Sequence, residues 1–168
     1  AASAFLCAPF DDAAILTADG VGEWATTTLG VGHASWDGRG GSAIRVLREL
    51  RFPHSLGLLY SAFTAFLGFE VNEGEYKVMG MAPYGTPRHV DKVWQLVRSI
   101  DRGGFRLEMD YFSYHYSADT SFTRKFEALF GPPRDPKAPF VTGEFGDELD
   151  RNPRLLAESR HYADIAAS

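Results

Sequence analysis

Apolar positions change their period several times along the chain, and each change predicts an element. Residues 13–18 (AAILTA) and 24–31 (WATTTLGV) are short runs rich in Ile, Leu and Thr, the pattern of strands. Asp19-Gly20 and Gly22 lie between them, so the two runs predict a hairpin. Residues 44–50 (IRVLREL) alternate early on and predict a third strand. Phe52-Pro53 then breaks the chain, and Ser55 is placed to cap a helix. Residues 56–68 are apolar all round and predict a buried helix, with Tyr60, Phe63 and Phe66 in the core. Residues 68–85 read as a polar loop. Val90, Val93, Trp94, Val97 and Ile100 share one helical face, which predicts a surface helix over 87–100, ended by Gly103-Gly104. Residues 105–109 alternate as a strand, 120–130 predict a short amphipathic helix, and 148–168 are helical after Pro153. Residues 32–41, with Asp37-Gly38, and residues 131–146, with Pro132, Pro133, Pro136 and Pro139, read as turn-rich loops. The order of three strands, two helices, a strand and two helices predicts α+β or mixed α/β, with a sheet that starts antiparallel.

Composition narrows the class. A chain of 168 residues and 18.6 kDa suffices for one compact domain, 1–168. With 45% hydrophobic, 14% aromatic and 23% charged residues it is neither disordered nor fibrous. A net charge of -5 gives no overall field for nucleic acid or anionic lipid, so neither is an expected partner. One cysteine, Cys7, excludes an internal disulfide and a Cys-cluster zinc site, and fits a reducing compartment. No apolar run approaches the roughly 18–20 residues that span a bilayer, and no secretory signal is visible. The cytoplasm is the expected setting. Both ends look cut from buried elements: AASAF opens without a polar leader, and YADIAAS closes helix-like without a Gly, Asn or Pro stop. A fragment of a larger enzyme is therefore expected, with a trimmed whole domain as the alternative.

Two segments carry candidate chemistry. In Asp19-Gly20-Val21-Gly22-Glu23 the glycines permit close approach and unusual φ. A tight turn there can aim successive N–H groups at an anion. Asp19, at the strand end, is placed to meet a metal-bridged phosphate or polarise a nucleophile. The same residues also suit a plain hairpin. They are not a Walker A loop, since no Gly-Lys-Ser/Thr follows, nor a dinucleotide fingerprint, since no third Gly opens a helix.

The second segment, residues 72–85 (NEGEYKVMGMAPYG), sets two carboxylates, a Lys and three glycines among Val78, Met79, Met81 and two tyrosines. A partly apolar ligand site has that mixture. Glu75 suits a ribose and Lys77 a phosphate. The bland alternative is a buried crossover loop with one internal ion pair. His33, His54, His89, His115 and His161 are scattered without metal-ligand spacing, and no G-x-S-x-G elbow occurs. Ser61 and Thr64 read as helix-interior hydroxyls rather than nucleophiles.

Residues 1–10, 13–30 (AAILTADGVGEWATTTLG), 52–87 (FPHSLGLLYSAFTAFLGFEVNEGEYKVMGMAPYGTP) and 105–112 closely resemble the O-carbamoyltransferases. That family includes nodulation protein U and enzymes that carbamoylate antibiotics such as tobramycin, cephamycin and novobiocin. The resemblance implies an N-terminal domain similar to the tRNA threonylcarbamoyladenosine-modifying enzyme, of the actin, Hsp70 and sugar-kinase superfamily. This chain would be its second lobe, a ribonuclease H-like mixed sheet flanked by helices. An adenylate-forming domain would follow, absent here. Carbamoyl phosphate and ATP would give carbamoyl-adenylate there, and the first domain would pass the carbamoyl group to a hydroxyl of a small-molecule acceptor.

Carried over by position, Asp19, Gly20, Gly22 and Glu23 match the phosphate turn of that lobe, with Asp19 and Glu23 as catalytic candidates. Asn72, Gly74, Glu75 and Lys77 match the nucleotide-side segment, which reads G-E-A-F-D-K in the tRNA-modifying relatives. The match is partial, because the Asp of that segment is missing here. The resemblance also implies a divalent metal, iron, in the full-length parent. Its His-His-x-x-His ligands would end just before Ala1 and its Asp ligand would lie beyond Ser168, so no metal ligand is expected here. The chain alone is then expected to be inactive. Self-association is expected through apolar surface around 56–69 and Ile165, with a homodimer in view. The alternatives are a non-catalytic nucleotide-binding or interaction module of the same superfamily, and a sugar-kinase or tRNA-modifying lobe. The long 52–87 motif disfavours the last. Acceptor selection is expected in the loops 32–41 and 131–146.

Overall fold

A computed structural model describes residues 1–36, 40–144, 146 and 148–168, so the expected Asp37-Gly38 turn lies outside the described residues. The chain divides into two compact units, Ala1–Leu58 and Leu59–Ser168.

The first unit opens with a single helical turn, α1 (Ala2–Phe5), before three strands: β1 (Asp12–Ala18), β2 (Ala25–His33) and β3 (Ala43–Arg51). They form one antiparallel sheet in the order β1-β2-β3, as the hairpin and third-strand patterns predict. The pleat sends Ala13, Ile15 and Thr17 to one face, opposite Gly32, Gly30 and Thr28. Phe5, Ile15 and Ala34 are buried on that side, with Ala13 and Ile44 packed against them. Phe5 lies in the space a side chain at Gly32 would take, since a Cβ there would fall 2.6 Å from the ring.

The second unit carries most of the apolar core. Helix α2 (Leu56–Phe66) begins in the first unit and ends in the second. Then come α3 (Glu75–Met81), a 3-10 turn (Ala82–Tyr84), α4 (Val90–Val93), β4 (Val97–Ile100), β5 (Gly104–Leu107), α5 (Arg124–Phe130) and α6 (Pro153–Ala166). Phe66, Phe112, Phe126, Phe130, Leu67 and Leu96 are fully buried at its centre. Arg134, also buried, ties the proline-rich loop to the end of α2: it donates to the Leu67 and Ala138 carbonyls, and its N–H bonds Phe66 O at 2.9 Å. Asn152 caps α6, accepting from the N–H groups of Arg154 (3.0 Å) and Leu155 (3.3 Å), with Pro153 in the first turn.

Several expectations fail locally. The surface helix expected over 87–100 is only Val90–Val93, and Val97–Ile100 is a strand. Their spacing is helical, but Val and Ile are β-branched and suit a strand, and antiparallel pairing with β5 across Gly103 (φ 75) decides for the strand. Trp94, assigned to the buried face, is 63% exposed, and the neighbouring Leu96 is buried in its place. The loop expected over 68–85 contains α3, whose buried Val78 and Met81 are one helical turn apart. Gly74 before it and Gly80 within it hide the period. The helix expected over 120–130 starts at Arg124, because Phe122 bridges to Phe112 first. Ile165, expected at an exposed apolar surface, is buried. All described strand pairs are antiparallel, so the parallel pairing of a mixed sheet is not among them.

His89 lies beside His161, ring centroids 5.8 Å apart, and near Lys92, Arg88 and Asp164. Burial first, then Lys92, His161 and Arg88, push its pKa below the ordinary 6.5, with Asp164 opposing. The folded state therefore binds a proton at His89 less readily than the unfolded chain. Stability from this group is complete above pH 6.5 and declines as pH falls from there toward the depressed value. Urea unfolding at a series of pH values between about 7 and 5 should show this decline, and His89→Gln should flatten it.

Candidate functional site

The β1–β2 connection spans residues 19–24 and is braced on both sides. Asp19 N–H bonds Thr26 O at 2.8 Å, which extends the ladder by one step. Ser55 Oγ donates to Asp19 O at 2.9 Å and accepts the Leu58 N–H at 3.0 Å, so the cap of α2 also fixes the turn. Fully buried Thr26 donates to the His54 carbonyl at 2.5 Å. At Gly57 a Cβ would fall 2.8 Å from Asp19 O and from the Gly20 backbone, so the first turn of the helix rests directly on Asp19-Gly20. These supports run through the buried side chains of Ser55 and Thr26 onto main-chain carbonyls, whereas Asp19 and Glu23 are exposed.

Within the bend, the Gly20 N–H donates to Asp19 Oδ1 at 2.7 Å. Gly22 has φ 51, and a Cβ there would meet Ala25 O at 2.7 Å. Only glycine fits both demands. Trp24 follows at φ 88 and packs edge-on against Phe52, centroids 6.0 Å apart. Among the described residues, no group accepts from the N–H of Val21, Gly22 or Glu23. Three successive main-chain donors around a left-handed glycine are the kind of donor set that an anion can engage. The bend thus brings together Asp19, Gly20, Gly22 and Glu23.

The other candidates, Asn72, Gly74, Glu75 and Lys77, lie in the second unit at the start of α3. Asn72 takes φ 71, and its N–H donates to Glu75 Oε1 at 2.8 Å. Gly74 is the N-cap, and a Cβ there would lie 2.6 Å from Glu70 O. Tyr60 Oη donates to the Glu75 carbonyl at 3.2 Å. Burial, then the Glu75 charge, pushes the Tyr60 phenol up, which keeps it a donor. Lys77 is exposed, its ammonium 5.9 Å from the Tyr76 ring. No ion pair forms at Glu75 or Lys77 among the described residues, so the crossover-loop alternative with its internal pair does not hold. One Glu75 oxygen shapes the backbone, while Lys77 is left open.

No group of three or more His, Cys, Asp or Glu side chains among the described residues is placed to hold a metal ion. No described helix is long and apolar enough to cross a membrane. Sequence reasoning reached the bend but missed the Thr26 support and the Ser55–Asp19 bond. The threonine-rich run was the only signal for the first, and a capping serine gives none for the second. Ser55→Ala should cost about 1–3 kcal/mol, as a cap and a buried bond are lost together. Denaturant unfolding checks this, and a loss below about 0.5 kcal/mol contradicts the brace.

A model of the carbamoyltransferase N-terminus matches residues 1–149. The uncharacterized protein sll1178 of Synechocystis is 51% identical over 146 residues, covering 86% of this chain and 22% of that protein. Nodulation protein NolNO of Sinorhizobium fredii is 40% identical over 109 residues, covering 64% of this chain and 15% of that protein. Nodulation protein NolO of Bradyrhizobium diazoefficiens is 34% identical over 111 residues, 66% of this chain and 19% of that protein. The chain therefore matches at most 22% of the length of these relatives. With the family model running through both braced segments, the chain belongs to the carbamoyltransferase family, in its N-terminal part.

Proposed function

We propose that this chain is the second lobe of an actin-like domain in an ATP-dependent O-carbamoyltransferase, whose acceptor is a hydroxyl of a small molecule such as a sugar or secondary metabolite. The observation that carries the reading is the bend at residues 19–24, with three free main-chain donors around left-handed Gly22. That donor set fits the phosphate of an adenylate. In this reading the N–H groups of Val21, Gly22 and Glu23 hold phosphate oxygens. Gly20, by holding Asp19 Oδ1, leaves Asp19 Oδ2 free. In the second unit, taken by itself, exposed Lys77 suits a phosphate and the second oxygen of Glu75 suits a ribose.

In the transfer, the acceptor oxygen forms a bond to the carbamoyl carbon, the bond from that carbon to the phosphate oxygen breaks, and AMP leaves. The acceptor's proton passes to a carboxylate, Asp19 or Glu23, as general base. Donors placed where charge gathers on the leaving phosphate favour the step. Use of carbamoyl phosphate and ATP goes with a cytoplasmic setting.

The full-length parent, given carbamoyl phosphate, ATP and a panel of sugars and aminoglycosides, should release AMP and carbamoylate an acceptor hydroxyl. Mass spectrometry of the products decides, and absence of both AMP and carbamoylated product across the panel contradicts the reading. The chain by itself, a small part of the length of its relatives, should transfer nothing. Transfer by it alone would show that the remaining length is dispensable.

A further inference from the structure

The second unit holds a cleft of about 190 Å³ that the reading above leaves unused. Two segments singled out in the sequence meet there. The A-P-Y-G end of the 72–85 motif supplies Tyr84, and the proline-rich loop supplies Phe140, Thr142 and Glu144. Helix α6 adds Ser159 and Arg160.

The walls are built rather than left over between loops. Buried Ser159 accepts the Val141 N–H at 3.0 Å. Buried Asp150 accepts the N–H groups of Gly143 (3.2 Å) and Gly146 (3.0 Å), which pins the loop that carries Thr142 and Glu144. Gly85 approaches α6 so closely that a Cβ there would fall 2.1 Å from Ala163 O, which fixes Tyr84 beside the helix.

The chemistry of the lining selects a ligand class. Tyr84 and Phe140 meet edge-to-face, centroids 6.0 Å apart. The side chains of Glu144 and Arg160 have no hydrogen-bond or ion-pair partner among the described residues. A carboxylate accepts from hydroxyls, a guanidinium donates to them, and an aromatic ring covers an apolar face. Together they suit a pyranose. One charge of each sign suits a neutral ligand and works against a phosphate. The volume lies below the roughly 300–1,000 Å³ of pockets for drug-sized ligands, and so suits a single ring. Helix α3, seven residues long, joins the Glu75 end of the motif to this end over about 10 Å.

We propose that this cleft binds a neutral sugar ring of the hydroxyl acceptor, a reading that rests on the carbamoyl-transfer function above. The test uses the full-length parent protein. Methyl α-D-glucopyranoside, mannopyranoside and galactopyranoside are the neutral probes, with glucuronic acid and glucosamine as charged controls. Binding is read by titration calorimetry, and adenylate formation by carbamoyl phosphate-dependent pyrophosphate release. At least one neutral glycoside should bind. Arg160→Gln and Glu144→Gln should each weaken it about tenfold, with pyrophosphate release unchanged. No glycoside binding, binding of the charged sugars alone, or affinity unchanged in both variants overturns the inference. Glycoside binding that both variants lose, in a protein that releases no pyrophosphate, upholds the cleft and overturns the carbamoyl-transfer reading instead.

Discussion

Gly85→Ala should destabilise the second unit by about 3 kcal/mol or more, the upper end of overpacking in a closed interior. The reason is local. A Cβ at this position would lie 2.1 Å from Ala163 O and 2.2 Å from Ala163 C, and both atoms belong to the backbone of α6. No rotamer change relieves such a contact, so the helix itself must move. Its neighbours resist that movement: Asp164 Oδ1 accepts the Thr86 N–H at 2.7 Å, and Tyr162, Ala163 and Ile165 are buried. Urea unfolding of the variant should show a lower midpoint with a similar slope. A loss under about 1 kcal/mol would mean that α6 gives way more easily than this packing implies.

Phe66→Ala should cost about 3–5 kcal/mol, the range for removing a fully buried aromatic side chain. Phe66 has no exposed surface, and four rings meet it edge-on or nearly so. Those of Phe122 and Phe126 lie 5.6 and 5.2 Å away, and those of Phe130 and Tyr162 lie 6.2 and 6.5 Å away. These partners come from three segments: the stretch before α5, α5 itself and α6. Truncation therefore opens a cavity where α2 ends and removes ring contacts to α5 and α6, leaving Phe63 to hold Phe126 and Phe130. Phe66→Leu keeps most of the volume and should cost clearly less. Equal losses for both variants would show that ring geometry, rather than volume, dominates.

The parts of the fold legible in the sequence are those where pattern and turn chemistry agree. The runs at 13–18 and 24–31, rich in Ile, Leu and Thr, flank Gly20 and Gly22, and they pair in the predicted antiparallel sense. Ser55 before an apolar run announces α2 and caps it, and Pro153 announces α6, whose cap, Asn152, only the structure identifies. Legibility fails where spacing and residue type disagree. Val90, Val93, Val97 and Ile100 have helical spacing but β-branched side chains, and only pairing with Gly104–Leu107 settles the matter for Val97–Ile100. Residues 72–81 fail for another reason. Two glycines and two carboxylates outweigh the Val78–Met81 pair that buries α3.

The candidate site divides in the same way. The bend around Asp19 and Gly22 is readable because glycine at positive φ leaves a mark in the sequence. Its supports are not readable, since the Ser55–Asp19 bond joins positions 36 apart. Nothing in the spacing of Thr142, Glu144 and Arg160 suggests that they line one cleft. That depends on how α6 meets the 3-10 turn.

The most direct measurement is the affinity of the full-length parent for AMP, by titration calorimetry, in the wild type and in Gly22→Ala. The methyl group is strained at φ 51 and strikes Ala25 O, so the free N–H groups of the bend must re-aim. If that bend holds the nucleotide phosphate, affinity should fall about tenfold or more while the protein stays folded. AMP bound equally well by both proteins would remove the phosphate from this bend, and with it the assignment of Asp19 and Glu23.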